Sequence, residues 1–344
     1  MIPARIPAAL LAVMLLWQST TAQDAPVFKA QLIYENDLTH PSCHAATIVE
    51  LKNGDLLAAW YAGSVEGAKD VVIKSARLPH GQSQWAKPVI AEDTPNASEG
   101  NPVLWVDKKG VVWLFFVTMY GDGWTTCKVK YKTSKDNGKS WGKETILQNE
   151  LGWMTGNKPT VLRNGEILLL LYDERDEFTI VMISGDQGKT WQQTASVKST
   201  PGNIQASVVE LSNGNLMMLM RSGGKIGALT IWQSFSQDKG RTWSPAQSSS
   251  LRNPDARIDQ VRLQNSHLAL AFNDTYHSRS QLNVALSVNE GKTWAFNRFL
   301  ENQPGEYSYP AIIQTRDGMI HCVYTYRRTN IKHVTFNEAW LTQK

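Results

Sequence analysis

The sequence predicts an all-β protein, a six-bladed β-propeller of four-stranded antiparallel blades, and three observations carry that expectation. A short Ser-x-Asp-x-Gly-x-Thr-Trp box recurs at intervals of about 50 residues. A tight Gly turn leading into an apolar strand recurs with the same period, between the boxes. Divided by six, the chain beyond residue 22 leaves roughly 54 residues per unit, enough for several short strands and two turns. A stacked solenoid would need shorter repeats, and no segment shows helical periodicity.

The boxes are Ser134-Lys-Asp136-Asn-Gly138-Lys-Ser-Trp141, Ser184-Gly-Asp186-Gln-Gly188-Lys-Thr-Trp191, Ser236-Gln-Asp238-Lys-Gly240-Arg-Thr-Trp243 and Ser287-Val-Asn289-Glu-Gly291-Lys-Thr-Trp294, with a decayed copy from Ser75 to Trp85. Their Trp residues are separated by 56, 50, 52 and 51 positions. Each copy reads as a hairpin: a strand enters, Asp-x-Gly supplies turn chemistry with the Gly free to take φ > 0, and the Trp packs beneath as an anchor. The Ser and Asp side chains are placed to bond the loop backbone. The second repeat appears at Asn53-Gly54, Lys109-Gly110, Asn164-Gly165, Asn213-Gly214 and Asp317-Gly318, each followed by an apolar strand, with a weaker copy at Gln264-Asn265.

The ends and the charge bound the biology. An apolar run from Ile6 to Trp17 follows Arg5 and precedes a small-residue site ending at Ala22, the pattern of a secretory signal peptide over residues 1–22. The run is too short to span a bilayer comfortably. The expectation is a leader followed by a single propeller over residues 23–344, secreted or periplasmic, monomeric, and without a membrane span once the leader is cleaved. Lys and Arg total 35 against 31 Asp and Glu, a formal charge of +4 with no basic block, so nucleic acid is not an expected partner. Three cysteines, Cys43, Cys127 and Cys322, allow at most one disulfide and suggest no zinc site; no cofactor or metal is expected.

The box Ser-x-Asp-x-Gly-x-Thr-Trp resembles the Asp-box of the sialidase (neuraminidase) superfamily, and Glu99-Gly-Asn-Pro-Val-Leu and Asn157-Lys-Pro-Thr-Val-Leu look like a bacterial, BNR-repeat branch of it. The resemblance covers nearly the whole mature chain and implies a site at the propeller axis, where three Arg clamp a substrate carboxylate. A Tyr paired with a Glu attacks the anomeric carbon there, and an Asp serves as acid/base. A Tyr suits that task because a carboxylate nucleophile would repel an anionic sugar.

Carried over position by position, the resemblance puts the second Arg at Arg221, which ends the strand after Val208-Val-Glu-Leu-Ser-Asn-Gly214. The catalytic Glu of that pattern is Gln205 here. The third Arg matches Arg279, just before the last box. The nucleophile position matches Tyr307 in Glu306-Tyr307-Ser-Tyr309-Pro, with Tyr309 a close rival. The first Arg is replaced by His44, ten residues before Gly54. The acid/base position falls on Asp70, with Glu66 in reserve. Lys158, Asn101 and Arg257 lie at similar strand starts and are candidates to line the cleft.

Three readings follow. The first is a secreted, exo-acting sialidase-like glycoside hydrolase that releases a terminal acidic sugar from a glycan, its carboxylate held by the Arg pair. The second is a lyase that eliminates across a uronate, with His44 or Tyr307 as base and acid. The third is a non-catalytic propeller that binds glycan or protein in the same cleft. Gln205 bears on the choice, because a neutral amide cannot take a proton from a phenol whose ordinary pKa is near 10.

Overall fold

A computed structural model describes residues 1, 25–35, 37–223 and 229–343. The signal peptide expected over residues 1–22 thus falls almost wholly outside the described residues. Six antiparallel sheets of four strands follow one another around a common axis. Blade 1 spans residues 42–92, blade 2 98–148, blade 3 153–197, blade 4 203–252 and blade 5 259–301. Blade 6 takes three strands from residues 307–336, and its outer strand is Phe28–Leu32 from the other end of the chain, paired with Asn330–Phe336. This pairing closes the ring. In blade 3 the inner strand is split into Trp153–Thr155 and Thr160–Val161, both bonded to Ile167–Asp173.

Both sequence repeats are turns of these blades. The Gly turn joins the inner strand to the second strand in every blade. Gly54, Gly110, Gly165, Gly214 and Gly318 hold φ between 84° and 88°, and Ser266 takes the same left-handed conformation in the weaker copy. The Asp-box joins the third strand to the outer one. In all four boxes the Ser hydroxyl accepts the box Gly N–H at 2.8 Å and donates to the Asp or Asn side chain, so one motif satisfies the hairpin from within.

The core is divided into interblade wedges, and each wedge is closed by one Trp. Trp141 packs on the cluster between blades 1 and 2, Trp191 between 2 and 3, Trp243 between 3 and 4, and Trp294 between 4 and 5. Trp85 of the decayed box still does so between blades 6 and 1. Blade 6 has no box, because its outer strand comes from the N-terminal side. The short helix Glu338–Thr342 takes over, and its Trp340 closes the last wedge. Trp340 stacks on Phe28 at 4.5 Å, and the helix-capping Asn337 also accepts the Val27 N–H at 2.9 Å. Cys43, Cys127 and Cys322 are free thiols buried in these wedges, so the single disulfide the sequence allowed is not formed among them.

Beside the closure lies a buried histidine pair. The Trp85 indole donates to Nδ1 of His333 at 3.3 Å, which puts the His333 proton on Nε2, 2.9 Å from Nδ1 of His321. Burial pushes His321 down to about 4 and His333 down to about 3.

Two outcomes follow from the closure. Trp340→Ala should cost about 2–4 kcal/mol in urea unfolding, below the full price of a buried Trp because the ring is partly exposed. The histidines set an acid limit: below about pH 6.5 the unfolded chain takes protons that the folded pair refuses, so stability falls as pH drops toward 4. At pH 5, at 1.36 kcal/mol per pH unit, the loss is roughly 2 kcal/mol per histidine. Urea melts at pH 7 and pH 5 should show it, and a profile unchanged in the His321→Gln, His333→Gln double variant would refute the assignment.

Candidate active site

Inner strands converge on the axis, and four of them carry the same irregularity. Pairing to the next strand slips between His44 and Thr47, Gly100 and Val103, Ile204 and Ser207, and Ser308 and Ala311. Within the four slips Ala45, Asn101, Gln205 and Tyr309 take φ of 56°, 41°, 52° and 54°. A left-handed residue with a Cβ costs about 1–2 kcal/mol, and a bulge re-aims its side chain. Repeating it in four blades gathers strained residues at one end of the axis, where strain commonly accompanies function.

A cavity of about 220 Å³ opens there. Asn101, Gln205 and Tyr309 come from the bulges, Arg221 from the second strand of blade 4, and Arg279 from the loop before the third strand of blade 5. Glu66, Trp124, Tyr172, Glu174 and Arg328 complete the polar and aromatic wall. Gly100 is required beneath Trp124, since a Cβ there would sit 2.6 Å from the indole. A larger groove of about 960 Å³ lies at the other end of the inner strands, between the turns of blades 6 and 1. The smaller cavity is the candidate site because, unlike that groove, it combines converging guanidinium groups with a phenol.

The Tyr309 oxygen is the centre of the network. It accepts from Arg221 Nη1 at 2.8 Å and from Gln205 Nε2 at 3.2 Å. The guanidinium carbons of Arg221 and Arg279 lie 5.9 and 5.5 Å from its ring centre. Burial pushes the Tyr309 phenol up, but Arg221, Arg279 and the Gln205 hydrogen bond outweigh it and hold the phenol below its ordinary value. Tyr172 responds oppositely: burial, with Glu174 and Tyr309 beside it, raises it well above.

The three guanidinium groups are each matched by a carboxylate. Arg221 Nε donates to Asp255 at 2.5 Å, Arg279 lies 3.6 Å from Glu306, and Arg328 bonds Glu66 at 2.6 Å and Glu306 at 2.9 Å. Arg328 stands in the turn between the second and third strands of blade 6, and its carbonyl accepts the Cys43 N–H at 2.8 Å. Its charge is among those acting on the buried His44 of blade 1.

Several candidates read from the sequence fall elsewhere. Tyr307 is fully buried in the wedge between blades 5 and 6, its hydroxyl 3.4 Å from the Pro304 carbonyl. Strand alternation sends Tyr307 into the core, and the bulge after Ser308 turns Tyr309 to the axis, so the rival residue occupies the cavity. The Asp70 carboxylate accepts the Ser64 N–H and hydroxyl at 3.1 and 3.0 Å, closing its own loop, while Glu66 at the tip of that loop reaches the cavity. His44 is buried against the Tyr309 ring at 3.9 Å with Nδ1 on the Thr325 hydroxyl at 2.8 Å; burial and the nearby Arg residues hold it well below its ordinary value. It buttresses the phenol and does not line the cavity.

Arg257 and Lys158 are also away from the cavity wall. Arg257 is buried and donates to Asn157 at 2.8 Å, and Asn157 in turn donates to the carbonyls of Gln205, Ala206 and Ile258. Lys158 is paired with Asp259 at 2.6 Å. Asn101, Gln205, Arg221 and Arg279 line the cavity. Trp124, Tyr172, Glu174 and Arg328 were not anticipated. Arg328 had a signal, Arg327-Arg328 in the one blade whose turns carry no box, and the Asp122-Gly-Trp124 loop was another.

The fold and the axial cavity together define a sialidase-type propeller. Residues 54–322 match the family described as BNR repeat-like domain, and the chain belongs to that family. It is 24% identical over 351 residues to a sialidase of Micromonospora viridifaciens, covering 88% of this chain and 52% of that protein. It is 22% identical over 340 residues to a sialidase of Bacteroides fragilis (strain YCH46), covering 86% and 61%. The chain thus spans between half and two thirds of the length of these relatives. Among solved structures, the Hadza microbial sialidase Hz136 superposes with a TM-score of 0.79 at 19% identity, over 91% of this chain and 69% of that one. The intramolecular trans-sialidase from Ruminococcus gnavus, in complex with oseltamivir carboxylate, gives 0.75 at 15% identity over 90% and 97%. A Dyadobacter fermentans DSM 18053 protein of unknown function gives 0.76 at 17% over 90% and 99%. These structures share the propeller fold, and the resemblance read from the Asp-boxes is borne out.

If the cavity takes a carboxylate, Arg279→Ala should weaken binding of an acidic monosaccharide at least 10-fold by calorimetry, and Lys158→Ala should leave it unchanged. Equal loss in both variants would remove the case for this cavity.

Proposed function

We propose that the protein is an exo-acting, sialidase-like glycoside hydrolase that releases a terminal acidic sugar from exported or extracellular glycans. The observation that carries the reading is a phenol, Tyr309, hydrogen-bonded to one of three guanidinium groups that face a cavity of about 220 Å³, a size suited to one sugar ring. Arg221, Arg279 and Arg328 hold the sugar carboxylate, which takes the places of Glu66 and Glu306 on the guanidinium groups.

The Tyr309 oxygen attacks the anomeric carbon, and the bond to the leaving oxygen breaks. Glu66, displaced from Arg328, takes up a proton from solvent and gives it to that oxygen, then takes a proton from the water that cleaves the glycosyl–tyrosine bond. Sialidase relatives support the substrate class. The leader read in the sequence supports export. Elimination from a uronate loses its His44 base, which is buried behind the Tyr309 ring.

Incubation with sialyllactose and with uronate-terminated oligosaccharides tests this. Free sialic acid that disappears at least 1000-fold with Tyr309→Phe, and is little changed with Tyr307→Phe if that variant folds, is the expected result. An unsaturated, ultraviolet-absorbing product would establish elimination instead. Glycan binding with neither product would leave a binding propeller and overturn the hydrolase.

A further inference from the structure

We propose that Gln205 is a positioning residue that makes a general base unnecessary: turned by Arg221, its amide presents N–H to the Tyr309 oxygen and keeps this phenol an ionised nucleophile. The inference rests on the reading of Tyr309 as nucleophile.

The amide has only one usable orientation. Its Oε1 accepts from Arg221 Nη1 at 2.9 Å, and a flipped amide would set its N–H against the guanidinium N–H. Nε2 is therefore the atom that faces Tyr309 at 3.2 Å and Tyr172 at 3.5 Å. The residue cannot swing away. It is buried, its backbone is held in the left-handed region, and its carbonyl accepts Asn157 Nδ2 at 3.0 Å. The Tyr309 oxygen thus receives two donors, Arg221 and Gln205, the surroundings of an anion.

Glutamate at this position would do the reverse. It can only accept from a phenol, so it would keep a proton between the two oxygens and neutralise Arg221. Other groups around Tyr309 agree with an anion there. Arg279 lies across the ring face, neutral His44 is behind it, the Arg257 charge interacts with it, and Glu66 is the opposing carboxylate. Tyr172 accepts from Asn101 at 3.1 Å, and Tyr61 is buried beside His44; both phenols are pushed upward, so of these three Tyr309 is the first to lose its proton.

The proton balance closes without a base. The phenol proton leaves to solvent in the resting enzyme, Glu66 takes one from solvent as the sugar carboxylate displaces it from Arg328, and the phenolate electron pair forms the glycosyl–tyrosine bond as the leaving oxygen departs with that proton. Water then attacks the anomeric carbon, gives its proton to Glu66 and returns Tyr309 as phenolate.

Ultraviolet titration of tyrosinate in the full-length protein tests this without reference to activity. Wild type should show one tyrosine step below the ordinary range that Tyr309→Phe removes, and Gln205→Glu should move that step upward by at least about one pH unit. The acid limb of kcat/KM should move with it. If Gln205→Glu does not fold by circular dichroism, Gln205→Met, which removes the donor without adding charge, should move the step in the same direction. An identical step in the folded Gln205 variant, or no low step in wild type, overturns the inference while sugar release by the wild type would still stand. A low step that Gln205 controls, in a protein that releases no sugar, sustains the inference about the phenol and removes the hydrolase reading.

Discussion

Six inner strands must end around one axis, and the polar backbone they bring there has to be satisfied in a space too narrow for regular pairing. Side chains do this work. Asn157 donates to carbonyls of blades 4 and 5, and Asp259 of blade 5 accepts from Ser207 of blade 4 and from the Ile312 N–H of blade 6. Lys158 of blade 3 balances the Asp259 charge. A buried carboxylate shared by three blades is costly unless fully partnered, and here it is partnered on each side. The cavity stands on this floor, which braces the bulges that carry Gln205 and Tyr309, while Thr155 holds the one at Asn101.

The periphery obeys a different constraint. Neighbouring blades diverge outward, so each interface opens into a wedge that needs a large apolar filler. One Trp per wedge meets that need, whether it comes from an intact box, from the degenerate loop at Trp85 or from the helix at Trp340. The separation of roles explains why the boxes carry so little information about chemistry: they lie at the outer hairpins, and no box residue lines the axial cavity.

This division also decides what could be read in the sequence. Blade number, blade order and both turn classes were legible because each depends on local chemistry, Gly or Ser at φ > 0 and a Ser–Asp pair within one hairpin. Arg221, Arg279, Gln205 and Asn101 could be placed because their distances from those turns are regular. Expected and observed placements part where a single residue decides direction. Tyr307 and Tyr309 point to different compartments because of a bulge that leaves no mark in composition, and Asp70 and Glu66 differ only in which of them sits at a loop tip. Arg328 is distant in sequence from blade 1, and only the ring closure brings it beside His44.

Arg328 also alters the meaning of the missing first Arg. A cavity built for an anion must hold positive charge out of water without collapsing onto itself, and unpaired buried guanidinium groups would be expensive. Here each is neutralised in the empty site by a nearby acid, Asp255, Glu306 or Glu66. On the proposed reading, an entering carboxylate would replace partners already present and would not have to supply the whole cost of desolvating the arginines. The exchange is unequal along the wall. Arg221 keeps Asp255 on Nε while its Nη1 serves Gln205 and Tyr309. Glu66, by contrast, holds Arg328 from a loop tip over a third exposed, where water can receive it when it lets go. On that reading, the movement that admits the anion also frees the Glu66 carboxylate to take up a proton at the cavity wall, and it leaves the Arg221–Gln205–Tyr309 triangle undisturbed.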